Sequence, residues 1–379
     1  MTKPTGKIGL ALSGGGIRAS AFHAGVLLYC AENDLMETVA HISSVSGGTL
    51  FTGLLFHSAS LHWPSSFAYR NTVYGAIRST LTTKSLQRDF ILSSFSPKNW
   101  DRMLTRPNIL ADSIKKVWNI TNSMGDLPQT PVWTVNGTTT ETGRRFRVRG
   151  CRLGDFELGN ADATHFDLAA AMAISVAFPV GTGPLLIDAQ KYIWYRPSPE
   201  NPAADHTANP LFERILVYDG GLYDNLAIEP LFDVGRQAIK QTADVDRVIL
   251  SDAGSPYARQ PLPNRLSPAR IKRLVDSTTD QTRALRVRAF INFLRHNPDK
   301  GLYCQLGMNF AELLENHAEI PAKHADAARE MEWQSLQRAK KARVYPIGLG
   351  QMDPEDFDII ARNGYESAKA SHLLFGQDD

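Results

Sequence analysis

Three short stretches of this 379-residue chain hold residues whose types and spacing could do chemistry. They are Leu12-Ser13-Gly14-Gly15-Gly16-Ile17-Arg18, then Ser43-Ser44-Val45-Ser46-Gly47-Gly48-Thr49, and much later Asp219-Gly220-Gly221. A serine between small residues at a tight strand-to-helix bend exposes its hydroxyl as a nucleophile. Consecutive glycines let backbone N–H groups approach a substrate closely, because no Cβ intervenes, and such amides can hold a developing oxyanion. A carboxylate at a strand end can take the serine proton. Together these parts fit acyl transfer.

Ser46 is the nucleophile this pattern selects. Around it G-x-S-x-G is met with Gly48 in place and Ser44 at the first position, where a small residue is needed. Centring the pattern on Ser44 would put Ile42 and Ser46 at the glycine positions and lose it. The Gly loop is not a phosphate-binding loop, since no Lys-Ser/Thr pair follows the glycines. Nor does it fit a dinucleotide fingerprint, because Ala19 stands at the third glycine position. A helix starting near Arg18 would point free N–H groups and its positive end at the loop, which suits a negative oxygen.

A hydrolase triad would need a histidine after the acid. His296, His317, His324 and His372 follow, but none stands in a recognisable turn motif. Asp219 starts a Gly220-Gly221 turn at a strand end, so a Ser46–Asp219 dyad suffices. Poor solvation would raise the proton affinity of that carboxylate.

The elements that must position these groups alternate between strand and helix. Ile8, Leu10 and Leu12 share one side of a strand over 7–13, and Phe22, Val26, Leu27 and Cys30 share one face of a helix over 18–33. A second strand over 39–45 and a buried helix over 47–56 follow. This order predicts an α/β fold in three layers, a central mostly parallel sheet flanked by helices. Residues 57–127 read as short helices, either a cap-like insertion over the site or a surface excursion. Residues 131–135 and 145–148 read as strands joined by an Asn136-Gly137 turn, and 166–177 as a helix stopped by Phe178-Pro179. The proline-bearing stretch 194–210 reads as an exposed loop. Strands over 215–218 and 248–250 follow, the first delivering Asp219 at its carboxyl end.

Between Arg259 and Lys300 ten basic residues face three acids in a mainly helical region. One reading is a solvated helix face, and the other is attraction to anionic head groups or a phosphate-bearing effector. Residues 344–349 and the amphipathic 354–375 are expected to close the fold. One domain over 1–379 accommodates all of this, with a core over about 6–255 and a helical carboxyl-terminal extension over about 256–379.

Composition narrows the class. Apolar residues make up 43% of the chain, enough for a large core, and 41 basic against 39 acidic residues imply no nucleic-acid partner. Cys30, Cys151 and Cys304 are odd in number and far apart, so they read as reduced core residues. No signal-peptide pattern and no run of eighteen apolar residues occurs, so a cytoplasmic location is expected.

The three motifs in this order closely resemble the patatin-like phospholipases, of the compact bacterial type. His23-Ala24-Gly25-Val26-Leu27 and Ala177-Phe178-Pro179 add to the likeness, which covers about residues 6–255. The resemblance implies a Ser46–Asp219 dyad without histidine. It also implies an oxyanion hole at Gly14, Gly15, Gly16, Ile17 and Arg18, with Ser44, Gly48, Gly220 and Gly221 supporting the turns. It further implies cleavage of membrane phospholipid esters at the inner face of the membrane, with no cofactor and no metal. Departures are Ser44 for Gly, Ala19 for Gly, and Asp224-Asn225-Leu226 where Asn-Asn-Pro is common. Some relatives of similar build are effectors switched on by a cyclic nucleotide. A gated effector of that kind, with a homo-oligomer and a cyclic-nucleotide activator, is the alternative expectation. An inactive lipid-binding relative is the third.

Overall fold

A computed structural model describes residues 6–174, 177–178, 182–197, 205–254, 261, 267, 269–316 and 329–375. In chain order the first strands are β1 (Ile8–Leu12), β2 (Val39–Ser44), β3 (Val132–Thr139), β4 (Arg145–Arg149), β5 (Arg152–Asp155) and β6 (Gly159–Asp162). Then come β7 (Leu185–Asp188), β8 (Trp194–Pro197), β9 (Asp205–Ala208) and β10 (Arg214–Asp219). A small hairpin, β11 (Phe232–Asp233) with β12 (Ala238–Ile239), precedes β13 (Arg247–Asp252) and β14 (Gly301–Gln305).

The helices are α1 (Gly16–Glu32), α2 (Gly47–Ser58), α3 (Ser66–Ala68), α4 (Tyr74–Thr83), α5 (Leu86–Ser94) and α6 (Pro107–Trp118). They continue with α7 (Leu168–Ile174), α8 (Gly221–Asp224), α9 (Ala269–His296), α10 (Phe310–Asn316), α11 (Leu336–Val344) and α12 (Pro354–Phe375). Among the described residues no helix is long and apolar enough to cross a membrane.

The sheet is mixed and flanked by helices. Its order is β14-β13-β1-β2-β3-β4-β5-β6-β8-β9, and β10 branches off β3 to meet β7. From β14 to β3 the pairs are parallel, and beyond β3 they are antiparallel. Every residue of β1 is buried, as a strand covered on both faces requires. Leu10 and Leu12 join Phe22, Val26, Phe357 and Ile360 in one core. Ala11, Val248 and Leu250 join Phe232, Phe290 and Leu294 in a second.

Three expectations are corrected. Asn136-Gly137 lies inside β3, and the turn to β4 falls at 140–144. A Cβ on Gly137 would stand 2.7 Å from Val217 Cγ1, so glycine is there for close approach rather than for a turn. Within 194–210, Trp194–Pro197 and Asp205–Ala208 are paired strands, Trp194 opposite Ala208, while 198–204, with Pro199 and Pro202, lie outside the described residues. Cys30 and Cys304 are buried free thiols, but Cys151 is exposed at the β4–β5 turn.

The carboxyl-terminal third, expected as a helical extension, also supplies β14 to the main sheet. Its last helix, α12, lies directly on α1. A Cβ on Gly25 would fall 1.7 Å from the carbonyl oxygen of Ala361, and one on Gly364 2.1 Å from that of Phe22. Two glycines therefore let the helix backbones touch.

Candidate active site

Each motif sits at the end of a strand in the parallel part of the sheet or beside it. β1 runs through Gly14 and Gly15 into α1, and β2 runs through Val45 and Ser46 into α2. Ser46 has φ 49° and ψ −124°, a strained conformation for a residue with a side chain. Small neighbours make the bend feasible. A Cβ on Gly47 would stand 2.2 Å from the Gly16 carbonyl oxygen, and one on Gly48 2.3 Å from that of Leu12. The two bends are also tied directly, because the Gly48 amide donates to the Ser13 carbonyl at 3.1 Å.

Ser44, which stands where the pattern has glycine, is buried with its hydroxyl satisfied. Trp133 Nε1 donates to it at 2.8 Å, and Thr49 Oγ1 lies at 2.8 Å. The extra oxygen is thus absorbed by partners from β3 and α2.

β3 stands between the serine strand and the aspartate strand. Val135 pairs with Ser44 of β2, and Gly137 pairs with Asp219 of β10. That places Asp219 beside the Ser46 bend, and the two side chains line the same cavity. The Gly221 amide donates to Asp219 Oδ1 at 2.7 Å, and the Asp219 amide donates to the Ala177 carbonyl at 2.8 Å. Burial pushes the Asp219 carboxyl up to about 7, against the opposing pull of the Gly221 amide and then of the Ser46 side chain.

The amides of the Gly loop are not equivalent. Gly14 N–H donates to the Asn225 carbonyl at 3.0 Å, and Ile17 N–H to the Gly348 carbonyl at 3.0 Å. Gly15 and Gly16 N–H have no hydrogen-bond partner among the described residues. Gly15 adopts φ 144° and Gly16 φ 63°, conformations open to glycine. Arg18 is buried, and its guanidinium donates to the carbonyls of Ala253 at 2.9 Å and Tyr345 at 3.0 Å. It ties the start of α1 to residues far along the chain. Burial lowers its pKa to about 10.

Two positioning residues carry no motif that would announce them. Asn136 Nδ2 donates to Ser43 Oγ at 3.0 Å and to the Ser44 carbonyl at 2.9 Å, holding the end of β2. Asn225 accepts from Gly14, and its Oδ1 lies against both Gly14 and Gly221. Its neighbour Asp224 accepts from the Leu226 and Glu229 amides and so shapes the same turn. Only the unusual Asp224-Asn225-Leu226 run offered a sequence signal for these.

Ser46 and Asp219 line one cavity of about 390 Å³, shared with Gly14, Gly15, Phe178 and Ile347. Among the described residues no residue of 57–127 and no histidine lines it. His23 is instead buried between Ser251 Oγ and the Ser13 carbonyl, with its pKa lowered to about 4 by burial. The helix beside the cavity is α9, which contributes Lys272, Arg273, Asp276 and Arg283. Three basic residues of this region thus stand at the cavity. Lys272 pairs with Asp276 at 2.6 Å and lies 5.9 Å from the Phe178 ring centre. Arg283 makes a two-pronged ion pair with Asp252, at 3.0 and 2.6 Å.

Asp252 is fully buried and also accepts from Tyr303 Oη, so its charge relies on Arg283. Arg283→Ala should destabilise the fold by about 3–5 kcal/mol in chemical denaturation. A loss below about 1 kcal/mol would show that α9 is not anchored through this pair.

No curated protein matches the chain by sequence. Human GIVD cytosolic phospholipase A2 superposes with a TM-score of 0.53 at 14% identity, covering 97% of this chain and 59% of its own. In complex with methyl gamma-linolenyl fluorophosphonate, the same human protein gives a TM-score of 0.50 at 11% identity, covering 97% and 57%. At these identities the likeness is one of fold, and this chain spans less than two-thirds of that protein's length. The family model described as Patatin-like phospholipase matches residues 10–232, a span that contains the Gly loop, the serine bend and the aspartate turn. On that match the chain belongs to the patatin-like phospholipase family.

Proposed function

We propose that the chain is a lipid acyl hydrolase of the phospholipase A type, acting through Ser46 and Asp219 on carboxylic esters of glycerophospholipids. The observation that carries this reading is a buried carboxyl, its pKa pushed up to about 7, sharing the wall of one cavity with a strained serine. A general base works best when its pKa lies near the operating pH.

Asp219 takes the Ser46 proton as Oγ attacks the ester carbonyl. The N–H groups of Gly15 and Gly16 hold the oxyanion, being unspent elsewhere among the described residues. Collapse expels the lysolipid alkoxide, which recovers the proton from Asp219. Water then gives a proton to Asp219, attacks the acyl-serine and releases fatty acid, and Ser46 regains its hydrogen. Arg18 acts as a brace, since its guanidinium is held by main-chain carbonyls.

A lipid substrate suits the rim. Ile347 lines the cavity and is 64% exposed, and Ile271 and Leu274 flank the α9 residues that line it, exposed by 61% and 70%. Apolar side chains left in water beside a site suit contact with a lipid surface.

The test is release of fatty acid from phospholipid vesicles, read by mass spectrometry, which also reports the ester position and head group. A fluorophosphonate probe should label Ser46. Absence of both labelling and lipid turnover would overturn the reading. The pH profile is a second check. Asp219 must be ionised to act, so kcat/KM should fall about tenfold per unit below pH 7 and level off above it. A profile flat from pH 5 to 8 would exclude this carboxyl as the base.

A further inference from the structure

A second cavity, of about 510 Å³, lies against β3, β4, β5 and β6 and involves neither Ser46 nor Asp219. Arg145, Arg147, Arg149, Arg152 and Lys240 line it, and among the described residues no Asp or Glu does. The sequence dictates this cluster. In Arg145-Phe146-Arg147-Val148-Arg149 the apolar residues are fully buried on one face, so strand alternation sends three arginines to the other. The register then sets Arg152 of β5 directly opposite Arg149. Like charges facing each other across a ladder are destabilising.

The arginines are weakly compensated. Arg145 reaches Asn136 Oδ1 at 3.0 Å, and Arg147 reaches Asn160 Oδ1 at 3.4 Å. Both acceptors are neutral amides. Among the described residues none of Arg145, Arg147 and Arg149 forms an ion pair. Lys240 does, with Glu229 at 2.8 Å. Burial lowers the pKa of both Arg145 and Arg147. At Arg145 the Arg147 charge adds to it against Glu229 and Asp224, and at Arg147 Asp155 opposes it more strongly than Arg149 adds to it. The same field reaches His41 on β2, whose pKa is held at about 4 by burial and then by Arg149 and Arg145.

Two half-buried guanidinium groups and an exposed one on one wall, facing a cavity of ligand size, are what a multiply charged oxyanion needs. Planar guanidinium forks match phosphate oxygens two at a time, and the volume falls within the range of small-molecule sites. We propose that this cleft binds a phosphate-bearing ligand, with Arg145, Arg147 and Arg149 as its principal contacts. A soluble phosphorylated metabolite or nucleotide and a phosphorylated lipid head group share that chemistry. The site stands apart from the acyl-hydrolase reading and does not depend on it.

Arg145 touches Asn136, which holds the end of the Ser46 strand, so it is left intact in the test. Binding of pyrophosphate, of a panel of linear and cyclic nucleotides, and of phosphatidylcholine vesicles with and without a phosphoinositide is measured by calorimetry and vesicle co-sedimentation. The proteins are wild type, Arg149→Gln and Arg147→Gln/Arg149→Gln, with thermal melts to check folding. Arg149 is exposed, so the single variant tests the site even where the double variant is unstable. We expect saturable binding in at least one arm, weakened about tenfold in Arg149→Gln and further in the double variant. Binding confined to soluble phosphates, or to phosphoinositide vesicles, supports the site and identifies its source of ligand. No saturable binding in any arm, or equal affinity in wild type and Arg149→Gln, overturns the proposal.

Discussion

Asp219→Asn should abolish turnover and at the same time make the protein more stable at neutral pH. The carboxyl ionises near pH 7 in the fold, against about 3.9 in an unfolded chain. The folded state therefore holds this proton more tightly than the unfolded state does. Its contribution to stability is full below about pH 4 and is lost as pH rises through 7. Above pH 7 the ionised, buried carboxylate costs up to about 4 kcal/mol, which asparagine would relieve. The amide can still accept from the Gly221 N–H and donate to Ser46 Oγ, but it cannot take a proton.

Turnover in Asp219→Asn and in Ser46→Ala should drop by about 10⁴-fold or more, since groups acting as one unit fail together. Ser46→Ala should not share the stability gain, because it leaves the buried carboxyl in place. Denaturation curves at pH 5 and pH 8, beside vesicle assays, separate these effects. A stability gap between Asp219→Asn and wild type that did not widen from pH 5 to 8 would contradict the raised pKa. Full activity in either variant would remove the dyad.

Gly25→Val should unfold the protein or cost more than about 4 kcal/mol, a loss beyond the usual range for one substitution. Its Cβ would enter the main chain of Ala361, and neither helix has a flexible side chain to yield at that point. Separating α12 from α1 would also disturb the loop between β1 and α1, where Gly15 and Gly16 present their amides. Activity should thus fall with stability although residue 25 is remote from Ser46 in sequence. A soluble, fully active Gly25→Val protein would show that α12 is a dispensable addition. Gly25→Ala, which adds only the Cβ, should lose less.

Much of the site was legible before any coordinates. Strand–bend–helix order, the two glycine-rich bends and Asp219 at a strand end follow from local periodicity and from residue size. The observed β1, α1, β2, α2 and β10 lie within a few residues of the expected bounds. Asn136-Gly137 misled because the pair that suits a tight turn also suits a crowded strand, and only neighbours distant in sequence tell the two apart.

By itself the sequence determined which groups could react, and that each would stand at the end of a strand, because those properties depend on a few adjacent residues. The tertiary structure alone decided which amides stay unspent, since Gly14 and Ile17 are claimed by carbonyls of Asn225 and Gly348, far along the chain. It also decided the proton affinity of Asp219, the placing of α9 beside the cavity and the gathering of arginines on β4 and β5. Each of these is set by burial and by long-range pairing across the sheet. Local sequence pattern carries no record of either.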